Sequence, residues 1–334
     1  MKSNIVIALV HVACFAWSQS GGNKSFQFLE VPAHARLNAL GGVNISLADL
    51  DVNFAFNNPT LVGDTLAGQA SAGYLFYLAD IGQATFTYAH DFKNAAVLTF
   101  GVRHVNYGEL VGYDATGMET GSFKSGETEI LIGKSHQVGV FRLGVNFKGV
   151  FSNLAGFRSS AFLADLGGMF VHPHLAVGLV IRNFGFVLNE FSETSDTSLP
   201  FDVQAGTTFK PEHMPIRFSF TMYNLARLGK TYENPVNPAD DPSSLDKILQ
   251  HVNMGIELLI HKHVNLLAGY NSLRQQELSD LNGGGMRGFT FGFSVRLKQV
   301  ECVVSRASYS VGNATYGFTL NVNTKSMLMK RKEL

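Results

Sequence analysis

Residues 288–297, Gly-Phe-Thr-Phe-Gly-Phe-Ser-Val-Arg-Leu, carry the pattern that decides the fold. Every second side chain in this stretch is large and apolar, and these residues are Phe289, Phe291, Phe293, Val295 and Leu297. The polar residues Thr290, Ser294 and Arg296 stand between them. Successive side chains of a β-strand point to opposite faces of a sheet. We therefore predict a strand with one apolar face and one polar face.

The same alternation recurs along most of the chain, most strongly in residues 139–151, 201–210 and 314–323. The polar sides carry charged residues, Asn, Thr and Gly, which suits a wet lumen better than a dry core. A soluble β-sandwich could produce the pattern in any one strand, so the interpretation rests on the sum of the segments. Fourteen strands are predicted, at about 68–77, 80–90, 95–106, 127–135, 138–151, 160–171, 175–184, 200–210, 215–224, 250–260, 264–271, 287–297, 301–311 and 314–323.

The links between the predicted strands also alternate in length. Links after even-numbered strands are tight, whereas most links after odd-numbered strands are long. The long links are 107–126, 152–159, 185–199, 225–249 and 272–286. Bacterial outer-membrane barrels have short periplasmic turns and long extracellular loops. We therefore predict an all-β membrane barrel of about fourteen antiparallel strands, surrounded by outer-membrane lipid of a Gram-negative bacterium.

The composition agrees with this class of protein. Charged residues make up 16% of the 334 residues, against about 25% in soluble globular proteins. After residue 20, no stretch approaches the ~20 continuous apolar residues of a transmembrane helix. The formal net charge is zero, so the sequence gives no indication of a nucleic-acid partner.

The N-terminus has the features of a secretory signal. Lys2 provides a positive charge, residues 5–17 are mostly apolar, and small residues precede a cleavage site before Gln19. Cys14 leaves a lipoprotein alternative open, although His11 occupies a position where a lipobox has an aliphatic residue. We predict four parts: a signal peptide 1–18, an N-terminal plug 19–66, a barrel 67–324 and a basic periplasmic tail 325–334.

Residues 26–65 do not alternate. Irregular backbone at membrane depth is tolerated only where protein or a wet lumen surrounds it, so we predict that this segment folds into the barrel as a plug. Its motif residues are Ala35, Arg36, Gly41, Gly42, Asp49, Asp51, Asn57, Asn58 and Pro59. Gly41 and Gly42 permit a tight bend, and Asn57, Asn58 and Pro59 favour a turn before the first strand.

This motif resembles the N-terminal signature of the PorV/PorQ group of outer-membrane proteins, which is related to the FadL-like barrels. Residues 74–82 are more similar to the PorQ branch, and Thr60 stands where the signature has Ala. The resemblance implies a non-enzymatic component of the type IX secretion system of Bacteroidota. It also implies an attachment complex with PorU-, PorV- and PorZ-like proteins, which we expect to bind through the extracellular loops.

A FadL-like channel for hydrophobic small molecules is the alternative function. The charged residues predicted to face the lumen argue against an apolar conduit, because they are expected to pair and fill the interior. They are Arg103, Arg142, Lys148, Asp165, Arg182, Asp202, Glu257 and Arg296. The sequence contains no Gly-x-Ser-x-Gly motif or comparable nucleophile signature, and we predict neither enzymatic activity nor a cofactor or metal.

Overall fold

A computed structural model describes residues 25–92, 96–192, 197–228, 243–277, 286–310 and 313–325. The predicted signal peptide 1–18 and residues 326–334 of the predicted basic tail lie outside these ranges. No helix in the described part of the chain is long and apolar enough to cross a membrane.

Within the described residues, fourteen antiparallel strands form one closed barrel, which confirms the predicted fold class. Each strand pairs with its neighbours in sequence, and β1 pairs with β14, from Gln69 opposite Asn323 to Phe76 opposite Tyr316. Closure removes the two exposed edges that an open sheet would have at its first and last strands. The strands are β1 (Gln69–Phe76), β2 (Gly82–Phe92), β3 (Ala96–Tyr113), β4 (Glu119–Val138), β5 (Phe141–Leu154), β6 (Phe157–His172), β7 (Leu175–Asn189), β8 (Asp202–Phe209), β9 (Ile216–Met222), β10 (Val252–His261), β11 (Val264–Asn271), β12 (Phe289–Leu297), β13 (Val300–Ser310) and β14 (Asn313–Asn323).

The two faces of the wall differ in chemistry. On β5, Leu143 and Phe147 point outward and are 68% and 50% exposed, whereas Asn146 and Lys148 point inward and are fully buried. An outward apolar band of this kind is suited to lipid hydrocarbon. We call the end of the barrel that carries the turns 138–141, 172–175 and 261–264 the short-turn end, and the opposite end the long-loop end.

Two segments that were predicted as long loops are strands instead. Residues 107–126 form the end of β3, a tight turn and the start of β4, and residues 152–159 join β5 to β6 through a similar hairpin. At the first turn, the Thr116 hydroxyl donates to the Asp114 carboxylate at 2.6 Å and holds the pKa of that group below its ordinary value. An Asp-initiated turn reverses the chain in a few residues. The strands can therefore stay paired up to the turn, beyond the membrane-spanning length, and form projecting hairpins.

The described parts of the other long connections follow strands that end at the same end of the barrel. Two of them contain short helices, α2 (Ser244–Leu249) and α3 (Ser272–Glu277). Ser243 caps α2 through a reciprocal capping box with Asp246.

A β-bulge interrupts the ladder between β6 and β7. Ala164 lies opposite Phe184, but Leu166 lies opposite Ile181. Two consecutive residues of β7, Arg182 and Asn183, are therefore both buried on the lumen side, opposite Asp165 of β6. A bulge bends the strand and aims an extra side chain at one face, so the lumen gains a polar group at this point of the wall.

The N-terminal segment 25–68 fills the lumen and forms no strand. It contains one short α-helix, α1 (Ala35–Ala39), and 3-10 helices at Gln27–Glu30, Val52–Phe56, Pro59–Leu61 and Asp64–Leu66. α1 contacts β11 to β14 and β1, while residues 59–61 contact β4, β5 and β6. The segment therefore touches opposite sides of the wall.

Inward-facing glycines make room for this plug. A Cβ atom added to Gly269 of β11 would lie 2.2 Å from the amide nitrogen of Gly41. One added to Gly144 of β5 would lie 2.9 Å from Cβ of Pro59. Any larger wall residue at these two positions would displace the plug, because interiors are close-packed.

Candidate functional site in the barrel lumen

Arg36 joins the plug to the wall through buried ion pairs. Its Nη1 donates to Oε1 of Glu257 on β10 at 2.8 Å, and its Nη2 donates to Oε1 of Glu301 on β13 at 2.6 Å. Oδ2 of the plug residue Asp51 lies 3.9 Å from Nε of Arg36. The Arg36 guanidinium thus connects two wall strands and a second part of the plug.

Two wall arginines complete this group. Arg217 of β9 donates to Oε2 of Glu257, and Nη2 of Arg296 lies 3.2 Å from Oε1 of Glu301. Nδ2 of Asn321 also donates to Oδ2 of Asp51 at 2.9 Å. We call the six charged residues the Arg36 cluster: Arg36, Asp51, Arg217, Glu257, Arg296 and Glu301. Its three arginines balance its three carboxylates, and a buried group of this kind is tolerated only when it is fully paired.

A second charged series runs along the wall on β3 to β6. Nε of Arg103 donates to Oε2 of Glu129 at 2.8 Å, and Nζ of Lys148 lies 3.5 Å from the other carboxylate oxygen of Glu129. The same Nζ lies 2.6 Å from Oδ2 of Asp165. Asp165 also accepts the backbone N–H of Asn183 at 2.9 Å, so the series ends at the bulge and fixes its geometry.

Arg103 also holds the first part of the plug. Its guanidinium carbon lies 5.2 Å from the ring centroid of Phe28 and 5.5 Å from that of Phe56. Its Nη1 donates to the carbonyl oxygen of Val31 at 3.1 Å. Because a desolvated cation is attracted to aromatic faces, Arg103 orders these rings against β3.

Arg182 makes no ion pair among the described residues, and instead caps plug carbonyls. Its Nη2 donates to the backbone oxygens of Phe56 and Leu29 at 3.1 and 3.3 Å. Asp202 follows on the neighbouring strand, where its Oδ2 accepts from Nε2 of Gln204 at 2.8 Å. On this side of the wall, charged lumen residues therefore form hydrogen bonds with the plug as well as with other wall residues.

An apolar chamber lies in the half of the lumen nearer the long-loop end. Its occupants come from the start of the plug, and its walls come from the strands and the connection before β8. The occupants are Phe26, Phe28 and Leu29, and the buried wall residues are Val105, Val150, Ala161, Leu163 and Leu199. This part of the lumen is as apolar as a protein core, in contrast to the layer of ion-paired residues nearer the short-turn end.

The short-turn end is held by Arg142 and Asp49. Nη2 of Arg142 donates to Oδ2 of Asp49 at 2.8 Å, and Oδ1 of Asp49 accepts the backbone N–H of Gly63 at 3.0 Å. Residues 46–50 of the plug line a cleft of about 410 Å³ with residues 171–176 of the wall. The plug is therefore accessible to solvent along this cleft, and Asp64 and Thr65 are exposed at the same end.

The remaining motif residues build the turns of the plug. Oδ1 of Asn58 accepts the backbone N–H of Thr60 at 3.0 Å, which starts the 3-10 helix at Pro59. Gly41 and Gly42 have φ angles of +90° and +96°, a conformation that residues with a Cβ rarely adopt. These contacts explain the residue types at the motif positions by local geometry.

Ala35 and Asn57 occupy the other two motif positions. The backbone N–H of Ala35 donates to the Thr319 hydroxyl at 3.0 Å, and the N–H of Asn57 donates to the Phe54 carbonyl oxygen at 2.9 Å. Both residues are buried, and the first contact ties α1 to β14.

Sequence reasoning did not identify Glu129, Glu301 or Arg217 as partners of the lumen charges. All three lie at inward positions of regularly alternating strands, and this alternation could have identified them as lumen residues. Arg296 faces the lumen at the short-turn end but its side chain is 48% exposed. The lumen charges were expected to pair with one another, but Arg296 pairs instead with Glu301, which lies opposite it in the register.

Comparisons with known proteins agree with the geometry at the level of fold. No family model matches the chain, and no curated protein does. Among solved structures, the P. putida toluene transporter TodX matches with a TM-score of 0.50 at 11% identity, over 88% of this chain and 97% of that chain. The fold is FadL-like.

Two further solved structures resemble this FadL-like barrel more weakly. The monoaromatic hydrocarbon channel CymD has a TM-score of 0.49 at 10% identity and covers 88% of this chain and 97% of its own. The KdgM porin has a TM-score of 0.35 at 10% identity and covers 76% of this chain and 98% of its own. At sequence identities this low, the comparisons show a shared architecture only. The function has to be argued from the residues of the site.

Proposed function

We propose that the chain is an outer-membrane channel that admits small apolar molecules into the apolar chamber. The observation that carries this proposal is the occupation of the chamber by Phe26, Phe28 and Leu29. Three apolar side chains at the start of the plug fill an apolar space in the half of the lumen nearer the long-loop end. A small aromatic ligand would replace them with similar contacts, and the fold shared with the toluene transporter TodX supports this assignment.

The contacts of the plug support movement of its first residues alone. Residues 25–31 are held by hydrogen bonds. The backbone N–H of Ser25 donates to the carbonyl oxygen of Ser198, Arg103 donates to that of Val31, and Arg182 donates to that of Leu29. Burying each apolar side chain contributes about 1.5–3 kcal/mol, which an apolar ligand would offset on entering. The body of the plug, held by the Arg36 cluster, would remain in place.

Arg103 and the bulge give the chamber two further properties of a channel for apolar molecules. The Arg103 guanidinium would face the ring of an aromatic ligand once Phe28 moved away. The bulge at Arg182 and Asn183 lies beside chamber residues of β6, so the wall is locally bent where a ligand could leave toward lipid.

The test fills the chamber through a substitution in the wall. In Ala161→Trp the indole occupies the space that the ligand needs, and uptake of toluene by proteoliposomes is expected to fall about tenfold. The matched control is Ala164→Trp, on the same strand but facing outward. Equal uptake by Ala161→Trp and the unmodified chain, with both barrels folded, would exclude the chamber as the binding site.

We infer a second function, surface attachment within a type IX secretion system, from a different feature. The PorV/PorQ-like motif implies PorU-, PorV- and PorZ-like partners, and the β3–β4 hairpin offers them an apolar tip. Val111, Tyr113 and Met118 on this hairpin are 48%, 61% and 68% exposed. Apolar side chains projecting beyond the barrel are typical of protein-interaction sites.

The two functions respond to different variants. If the hairpin binds the attachment complex, Tyr113→Asp combined with Val111→Asp releases secreted cargo from the cell surface and leaves toluene uptake unchanged. Thr120→Asp, on the same hairpin and also exposed, serves as the matched control. Cargo that stays attached in the double variant would count against attachment through this hairpin.

A further inference from the structure

The outward face of β5 changes from apolar to polar near the long-loop end. On β5, Phe141, Leu143, Phe147 and Phe151 are at least half exposed and apolar, and the next outward residue is Asn153. The stretch from Phe141 to Phe151 matches the ~9–11 residues that a tilted strand needs to cross the hydrocarbon. Asn153 and the residues beside it therefore lie at the level of the lipid head groups.

A groove of about 680 Å³ lies on the wall at this level. The residues of the groove come from five adjacent strands and share a polar character. They include His104 and Asn106 of β3, Lys124 of β4, Asn153 of β5, Arg158 of β6 and Asn189 of β7. Gly126 provides no side chain in the middle of this surface, so the floor of the groove stays low. We call this surface the head-group groove.

The charge of the head-group groove is positive. Lys124 and Arg158 line it and are exposed, and no carboxylate lines it. In the part of the chain that the structure describes, neither cation makes an ion pair within 4.0 Å. Glu109, which lies opposite Lys124 in the register, accepts a hydrogen bond from the Ser122 hydroxyl instead. Two cations without partners at the membrane interface are suited to an anionic lipid group.

We infer that the head-group groove binds the phosphorylated sugar head group of a glycolipid in the leaflet at the long-loop end. The Arg158 guanidinium and the Lys124 ammonium donate to the phosphate oxygens, since such charge-assisted hydrogen bonds are strong. The amides of Asn106, Asn153 and Asn189 hydrogen-bond the sugar hydroxyls. The acyl chains lie against Phe151 and the apolar band below it. This site is on the outside of the wall and is independent of what passes through the lumen.

The experiment measures lipid binding by the full chain in detergent micelles. The probe is bisphosphorylated lipid A, its dephosphorylated form is the first control, and native mass spectrometry reports the bound fraction. The test variant combines Lys124→Gln with Arg158→Gln. A matched variant with the same loss of charge combines Lys134→Gln, near the short-turn end of β4, with Arg306→Gln, on the opposite side of the barrel. Heat-modifiable electrophoretic mobility shows that each barrel is folded.

We expect the test variant to bind lipid A about tenfold more weakly, and the matched variant to bind as the unmodified chain does. Dephosphorylated lipid A is expected to bind the unmodified chain as weakly as lipid A binds the test variant. Equal binding of the two lipids, or of lipid A to both variants, would overturn the assignment. Inorganic phosphate that binds as tightly as the lipid would overturn the glycolipid as the occupant.

Discussion

The Arg36 cluster places six charged side chains between plug and wall, and its charges sum to zero. Removing one partner of a buried pair leaves the other charge without compensation, which typically costs about 3–5 kcal/mol. The stability of the plugged state therefore depends on the complete set more than on any one pair. Glu257 is the most informative residue to substitute, because its carboxylate accepts hydrogen bonds from both Arg36 and Arg217.

In Glu257→Gln the two arginines lose their shared counter-charge while the side chain keeps its size. We expect the free energy of unfolding in micelles to fall by about 3–5 kcal/mol, measured by urea denaturation followed by circular dichroism. Glu119→Gln, on the exposed hairpin, is the control and should change this free energy by less than about 0.5 kcal/mol. An unchanged midpoint for Glu257→Gln would mean that the cluster does not stabilise the barrel.

The partners of Arg36 also mark a limit of sequence reasoning. Glu257 and Glu301 lie 221 and 265 positions away along the chain. Alternation predicts that both carboxylates face the lumen, but it gives no information on the height or rotation at which the plug meets them. Motif residues such as Asn58 and Gly41 were easier to interpret, because their geometry is set by neighbours a few residues away.

At the scale of elements, the strands followed from periodicity and the hairpins did not. Side-chain alternation and the hydrogen-bonded ladder have the same period, so the fourteen strands could be located from the sequence. Residues 107–126 were predicted as a loop, and their sequence shows no regular alternation. Outside the membrane a strand needs only cross-strand hydrogen bonds, so it requires no continuous apolar face.

The plug and the wall fit through inward glycines. In Gly269→Leu the new side chain would meet the backbone of Leu40 and Gly41, so we expect α1 to be displaced and ion conductance to appear in planar bilayers. Gly149→Leu, an outward position where an added Cβ meets only Phe151 at 3.5 Å or more, should conduct as little as the unmodified chain. If the Gly269→Leu barrel showed no ion conductance, the plug would still block the lumen despite the added side chain.

At the scale of the whole molecule, the plug divides into a start that lies in the apolar chamber and a body that the Arg36 cluster holds through ion pairs. Residues 25–31 lie in the apolar chamber, whereas residues 35–62 contact both sides of the wall. The channel proposal therefore requires motion of only the first part. A covalent link between the body and the wall separates this motion from release of the entire plug.

Asn38 and Ser305 offer the position for that link, because Nδ2 of Asn38 donates to the Ser305 hydroxyl at 3.1 Å. A disulfide between Asn38→Cys and Ser305→Cys, with Cys302→Ser to remove the nearby thiol on the same strand, fixes α1 to β13. We expect toluene uptake to be the same in the oxidised and reduced forms. Uptake that returns only after reduction would show that the body must move as well.

The position of α1 has a consequence for biogenesis. α1 packs against β11 to β14 and β1, the strands that flank the β1–β14 seam. Glu257 and Glu301 would keep Arg217 and Arg296 but lose the shared Arg36 guanidinium if the barrel closed while α1 was still outside. We therefore expect the N-terminal segment to be in place before the first and last strands meet. On this view the N-terminal segment acts as a template for assembly, because the last strands close around it.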